Sequence, residues 1–312
     1  MKPSRLEAAA RRRRAPRTIR ELSASPPRAS AQTVCEALCA RGWLIPRGPG
    51  LVGLAGGALA LARALDRAWL RAALERFEAA SHAYPALIPA SVLERGGYLA
   101  SFPQLALRVS NLDAPLCVAP SVCFHCYAAL GGQQVPGPGR AVTAAGRCGR
   151  SERGRGGELA RLSDFEMREW IFLGEGEWVR ARRDEAVDVV LSLAARWGLG
   201  GAIETASDPF FGPGAEDKSF WQASAELKYE LRAPLAPEPG ESLAIASFNL
   251  HETFFADRFA IRMAEGEPAH TGCVGFGVER WVLACFVQHG LSPAGWPASL
   301  KAAVWRDERG SR

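Results

Sequence analysis

The period of the apolar positions changes several times along the 312 residues. From 58 to 81, Leu and Ala recur at helical spacing among Arg, Glu and Asp, predicting a long amphipathic helix that stops before the 82–85 stretch, where Pro85 breaks it. A second helix is expected over 180–199, and a short helix and turn over 31–47. The sequence AYPALIPASVLERGGYLASFPQ predicts a proline-bounded strand, a short helix over 91–95 and a glycine turn. Residues 116–130 start as a buried strand and turn into a helix. A strand, a Gly/Arg-rich loop and a returning strand are read over 147–170, continuing as strand to 179. Residues 205–220 read as an aromatic loop, and 220–234, 242–251 and 259–263 as strands. A glycine-rich strand end then feeds a helix over 271–290. With no strict βαβ alternation and no internal repeat, the fold class is α+β around an antiparallel sheet.

Composition is that of a globular chain, with 48% hydrophobic and 23% charged residues. The most apolar stretch, from Leu51, is interrupted by Arg63, Asp66 and Arg67, so no bilayer-spanning segment is expected and the protein is read as cytoplasmic. The net charge of +5 is unevenly placed. Nine of the 38 basic residues but only two of the 33 acidic ones fall in residues 1–30, leaving 29 and 31 for the remainder. The body is therefore slightly acidic, which argues against a nucleic-acid-binding surface. Residues 1–30, with four consecutive arginines at 11–14, are read as a disordered basic tail, and residues 31–312 as a single domain. The eight cysteines follow no apolar leader and are read as reduced thiols, some of them metal ligands.

Two stretches carry chemistry. In 147–170, Arg150-x-Glu152 lies on one strand and Arg161, Phe165 and Glu169 on the returning one. Glycines admit phosphates close to the backbone, arginines supply charge, and an aromatic ring covers a base. In GCVGFGVERW, a glycine-spaced strand delivers Arg280 to the first turn of an apolar helix.

Together with the long helix and YPALIP, these stretches resemble motifs 1, 2 and 3 of class II aminoacyl-tRNA synthetases. SDPFF, LKYEL, SFNLH and DFEMREW narrow the resemblance to the amino acid:[carrier protein] ligases, relatives of the methanogen-type seryl-tRNA synthetases, over roughly residues 45–300. The resemblance implies a class II synthetase-like catalytic domain that forms an aminoacyl-adenylate from ATP, with Mg²⁺, and a small amino acid, glycine or alanine. In it, Arg150 and Arg280 are catalytic, Glu152 reads the adenine amino group, and Arg161 holds the outer phosphates beside Leu162. Phe165 stacks under adenine opposite Arg280, and Lys228 with the strand Ala244, Ile245, Ala246 and Ser247 lines the nucleotide side. Gly149 departs from the motif, which usually carries an aromatic there. The resemblance also implies Zn²⁺ held by Cys, Glu and Cys with one position open for the substrate amino group. Glu169 and Cys273 match two ligands. SVCFHCY offers Cys123, His125 and Cys126 for the first, and Cys123 is chosen because Pro120-x-x-Cys123 matches threonyl-type relatives. Asn249 joins Glu169 on the substrate side. Cys117, Cys148 and Cys285 are read as buried small hydrophobes, and His125 and His289 as structural.

The expected acceptor is the phosphopantetheine thiol of a small acidic carrier protein rather than tRNA. About 45 residues precede the core and about 20 follow its last helix, short of a tRNA-binding domain. A truncated seryl-type synthetase and a non-catalytic paralogue are the alternatives. Motif 1 implies a homodimer through residues 70–105.

Overall fold

The computed structural model describes residues 16–23, 26–110, 113–152, 159–211, 214–238 and 240–305. The arginine run at 11–14 and the glycine-rich hairpin tip at 153–158 lie outside these. An eight-stranded sheet runs through the molecule. In chain order its strands are β1 (Thr18–Leu22), β2 (Ala80–Ala83), β3 (Gly139–Gly149), β4 (Asp164–Gly174), β5 (Gly201–Thr205), β6 (Lys228–Pro234), β7 (Ser242–Glu252) and β8 (His270–Gly277). Their spatial order is β1-β5-β6-β7-β8-β4-β3-β2, antiparallel throughout except where β2 joins β3. The helices used below are α1 (Ala31–Ala40), α2 (Gly56–Phe77), α3 (Cys123–Ala129), α4 (Gly176–Arg196), α5 (Ala215–Ser224), α6 (Phe254–Phe259) and α7 (Val278–His289). Among the described residues no helix is long and apolar enough to cross a membrane.

Side chains alternate across a strand, so the register sorts residues into two faces. One face carries Trp170 and Phe172 of β4, Val274 and Phe276 of β8, Phe248 of β7 and Leu231 of β6. All are buried in the main core with α1, α2, α4 and α7. Trp69 of α2 stacks on Phe276 at 4.8 Å and meets Trp281 of α7 edge-on at 5.4 Å, while Trp170 Nε1 donates to the Trp69 carbonyl (3.1 Å). Arg168 also points this way and is neutralised by Asp66 of α2. The other face is apolar only toward one end. There Ile171, Leu173 and Val142 pack under Phe124 and Tyr127 of α3 and Phe255 and Phe259 of α6. The rest of that face is polar, and it forms the site described next.

Several boundaries differ from the sequence reading. Helix α2 ends at Phe77, where Glu78 takes a left-handed turn (φ 49°), and residues 80–83 become an edge strand beside β3. Strand β4 stops at Gly174, where a Cβ would lie 2.3 Å from the Pro138 carbonyl oxygen. Residues 176–179, expected as strand, begin α4. Residues 215–224 form α5, opened by Gly214 (φ 75°) with Glu216 and Asp217 in its first turn, where acidic groups favour a helix. Of the strand expected at 259–263, only Arg262–Met263 is extended, because Phe255 and Phe259, four apart, bury one face of α6. Strand β5 was not anticipated. Nor was β1, since residues 18–22 fall in the stretch read as a disordered tail. They pair with β5, and the amide of Arg28 donates to the Val287 carbonyl (2.9 Å).

Candidate functional site

Strands β3 and β4 form the hairpin that positions the first cluster. The amide of Arg150 donates to the Ser163 carbonyl (3.0 Å) and so continues the pairing past the last ladder rung, Gly149 opposite Asp164. Gly149 is where the resemblance would place an aromatic, and its glycine has a local cause. A Cβ there would meet Val118 at 2.7 Å and Leu107 at 3.0 Å. Arg150 Nε donates to the Pro120 carbonyl (2.8 Å), and its guanidinium lies over the Phe165 ring, 5.4 Å from the centroid. Glu152 sits among three guanidinium groups, those of Arg150 (3.8 Å), Arg161 (3.3 Å) and Arg280 (3.5 Å). Arg280 enters from the first turn of α7 and also donates to the carbonyls of Ala160 (3.0 Å) and Ala244 (3.2 Å). One carboxylate thus opposes three cations, a net positive cluster suited to a polyphosphate.

The second cluster lies farther along the same face. Glu169 of β4, Cys273 of β8 and Cys123 at the start of α3 bring one donor atom each to within 4.8 Å of one another. All three are buried, with Glu169 only 2% exposed. Glu169 accepts from the Cys123 amide (2.6 Å) and, among the described residues, has no ion pair. Burial pushes its carboxyl above the usual carboxylate range. Hydrogen bonding to Cys123 and then burial push the Cys273 thiol well up. A buried carboxylate facing two thiols without a cation is unfavourable as an apo arrangement and is what a thiophilic divalent ion resolves. The donor set fits Zn²⁺. Cys126, the rejected candidate, is fully buried and is not one of the converging donors.

Gly275 separates the two clusters. A Cβ at 275 would stand 3.3 Å from Ser247 Oγ and 3.9 Å from Glu169 Oε1, on the floor of the site. Asn249 Nδ2 reaches Cys273 Sγ (3.5 Å) and Ser247 Oγ (3.3 Å). Lys228, on the same face of β6, is ion-paired with Asp208 and lies 3.6 Å from Glu230. Leu162, Ile245 and Ala246, expected beside the nucleotide, bury their side chains in the main core. Strand β7 offers the site the Ala244 carbonyl, the Ser247 hydroxyl and the Asn249 amide.

Three neighbours of the site were not singled out in the sequence. Asp208 accepts from Gln222 Nε2 (2.8 Å) as well as from Lys228. Burial raises its carboxyl, but the Lys228 ammonium outweighs this and holds it below the usual range. His251 lies 3.9 Å from Cys273 Sγ and 3.3 Å from the Tyr127 hydroxyl, and burial lowers its pKa to about 4, so it stays neutral. Glu279 faces the back of the hairpin from α7. Each of the three lies in a phrase that carries the resemblance, Asp208 in SDPFF, His251 in SFNLH and Glu279 in GCVGFGVERW, but none was given a role there. His289 Nε2 donates to the Trp197 carbonyl (2.9 Å), and His125 stacks on Tyr84 at 5.4 Å.

No protein-family model matches the chain. It is similar to amino acid–[acyl-carrier-protein] ligases 1 and 2 of Bradyrhizobium diazoefficiens. Each is 33% identical over 244 residues, which is 70% of this chain and 74% or 72% of the relative. A type-2 serine–tRNA ligase of Methanocaldococcus jannaschii is 29% identical over 205 residues, 63% of this chain and 39% of that one. Among solved structures, M. kandleri seryl-tRNA synthetase in complex with A. aeolicus tRNASec superposes with a TM-score of 0.79 at 23% identity. That match covers 94% of this chain and 63% of the synthetase, so the chain spans under two thirds of it. The likeness shows the fold, the class II synthetase-like α+β catalytic domain expected from the sequence.

Proposed function

The chain belongs to the family of amino acid–[acyl-carrier-protein] ligases, and we propose that it activates a small amino acid with ATP and transfers it to a carrier-protein thiol. The observation that carries this reading is the placement of a polyphosphate-suited arginine cluster and a Cys-Glu-Cys donor set on one face of one sheet, joined by strand β4.

In the first half-reaction, a carboxylate oxygen of the amino acid attacks the α-phosphorus of ATP. The bond from the α-phosphorus to the bridging oxygen of the β-phosphate breaks, and pyrophosphate leaves; Mg²⁺ would supply charge neutralisation on the phosphates. Arg150, anchored on the carbonyl of Pro120 three residues before Cys123, neutralises the charge that builds on the α-phosphate. Arg161 takes the outer phosphates. Glu152, relieved of its arginines by the triphosphate, accepts from the adenine amino group. Phe165 and Arg280 cover the two faces of the base. Lys228, Ala244 and Ser247 line the nucleotide side. Held by Cys123, Glu169 and Cys273, Zn²⁺ would supply a Lewis-acid site for the substrate amino group. Asn249 stands beside it, where it fixes the Cys273 sulfur and meets the substrate. In the second half-reaction, the phosphopantetheine thiolate forms the C–S bond at the adenylate carbonyl, and the C–O bond to AMP breaks.

A carrier-protein acceptor is supported by the identity to the two Bradyrhizobium ligases, above that to the serine–tRNA ligase, and by a body of 29 basic and 31 acidic residues. A homodimer through residues 70–105 is supported by exposed Leu74 and Leu87 there; a monomer in sedimentation would exclude it. The deciding experiment supplies labelled glycine or alanine, ATP and zinc-loaded protein with a phosphopantetheinylated carrier protein or with total tRNA. Thioester label on the carrier alone is expected. Label on tRNA alone, or no amino-acid-dependent pyrophosphate exchange, would overturn the reading.

A further inference from the structure

Strand β4 is paired with β8 from Gly174 opposite His270 to Met167 opposite Gly277. Beyond that rung β8 has become helix α7, and its backbone no longer faces β4. Glu166, the next residue of β4, still pairs with Arg147 of β3 on one side, but its amide points to the side that β8 has left. A buried amide without an acceptor is costly. The acceptor is the side chain of Glu279, in the first turn of α7. Both of its carboxylate oxygens lie 3.0 Å from the Glu166 nitrogen, and one is 3.3 Å from Arg147 Nη1. Glu279 is 4% exposed.

This contact joins two residues whose neighbours in sequence form the proposed base-binding slot. Phe165 precedes Glu166, and Arg280 follows Glu279. Side chains alternate, so Phe165 lies on the site face while the Glu166 amide lies in the plane of the sheet. On α7, Arg280 turns to the site and Glu279 turns to the strand. On the strand side, away from the Arg280 contacts to Ala160 and Glu152, hairpin and helix are therefore held together by Glu279, through the Glu166 amide and Arg147.

We propose that Glu279 is a positioning residue that extends the β4–β8 ladder by one rung and thereby sets the width of the adenine slot between Phe165 and Arg280. The inference rests on the nucleotide reading given above. Glu279 touches no substrate; its effect passes through Phe165 and Arg280. Burial, the dominant influence, raises its pKa to about 7, and either protonation state retains an oxygen that accepts from the Glu166 amide.

The test separates the base from the phosphates by measuring the binding of ATP, AMP and inorganic tripolyphosphate to the full chain. Tripolyphosphate meets the arginines but has no base. With the slot walls displaced by a fraction of an ångström, Glu279→Ala is expected to weaken ATP and AMP about tenfold and to raise the KM for ATP by a similar factor. Tripolyphosphate affinity, bound zinc and the KM for the amino acid stay within about twofold of wild type. Glu279→Gln, which keeps an acceptor at the same reach, recovers most of the ATP affinity. If Glu279→Ala fails to fold, Glu279→Asp, one methylene short of the Glu166 amide, carries the same expectation. Equal weakening of all three ligands, or unchanged AMP binding, overturns the inference. A wild-type protein that binds no ATP would instead overturn the proposed function.

Discussion

Glu152 offers the most direct test of the arginine cluster, because a single carboxylate balances three guanidinium groups at 3.3, 3.5 and 3.8 Å. At an effective dielectric constant of about 20, each pair has a gross attraction of roughly 4–5 kcal/mol. Solvent reduces this. The arginine side chains are 29%, 49% and 29% exposed, and Glu152 itself was desolvated to 13%. A net value of about 1 kcal/mol per pair is reasonable at such exposure. Glu152→Gln keeps shape and volume, removes the charge and leaves three like charges facing each other, so we expect a loss of roughly 2–3 kcal/mol in urea unfolding. A polyanion restores the missing charge. Saturating tripolyphosphate should therefore narrow the gap between variant and wild type to under about 1 kcal/mol, and the variant should bind tripolyphosphate more tightly than wild type does. The same variant keeps an amide oxygen but gains an N–H2 donor that can meet the guanine O6, so in the proposed base-reading role its preference for ATP over GTP falls. A variant as stable as wild type without ligand, or a gap that tripolyphosphate leaves unchanged, would refute the counter-ion role.

Two further outcomes concern the buried acids and thiols. Cys123→Ser is expected to lower bound zinc, measured by metal analysis, by at least tenfold and to abolish amino-acid-dependent pyrophosphate exchange, whereas Cys126→Ser retains both; the reverse pattern would move the ligand. The second outcome concerns Glu279. Its folded pKa of about 7 stands above the ordinary value of 4.5, chiefly through burial. Its contribution to stability is therefore fully present below about pH 4.5 and lost as pH rises through 7, a loss of on the order of 3 kcal/mol by pH 8. Arg147 opposes this shift, and Glu166 adds to it from the adjacent strand. Glu279→Gln should remove that slope between pH 5 and 8 in urea midpoints, and parallel slopes would refute it.

The elements legible in the sequence were those whose pattern is local. The strand-to-helix passages at 116–130 and 271–290 carry their own period changes and glycines and formed near the expected bounds, whereas the 147–170 hairpin formed with its first strand ending at Gly149, so that Arg150 and Glu152 lie beyond it. Elements that depend on a distant partner were missed. Strand β1 is extended because β5 lies beside it, and β5 itself is five residues without a strong alternation of its own. Candidate residues followed the same division. The resemblance brought Arg150, Glu152, Arg161 and Arg280 together, and also Cys123, Glu169 and Cys273, because each belongs to a recognisable phrase. Asp208, 20 residues from its lysine, and Glu279, 113 from its amide, act through contacts that no spacing encodes. For Leu162, Ile245 and Ala246, the resemblance gave a place beside the nucleotide but not the direction in which each side chain points. Register decides that, and register is a property of the assembled sheet.

Strand β4 explains why the two clusters can serve one reaction. Phe165 and Glu169 are four residues apart on the same face, which at about 3.3 Å per residue places them roughly 13 Å from each other along a nearly rigid ladder. Met167 lies between them on that face, opposite Gly277, and Gly275 lies opposite Glu169. Both glycines of the β8 pair therefore fall on the open face, between the arginines and the metal-fitting donors. A side chain at either position would rise from the floor where, in the proposed reaction, the α-phosphate and the amino-acid carboxylate meet. At 275 the nearest atom to an added Cβ is already at 3.3 Å. The glycine spacing of GCVGFGVERW thus has a physical cause in the sheet. The alternate residues, Val274 and Phe276, are fully buried on the opposite face and fix the strand from behind, so the bare floor is held in place by a packed core.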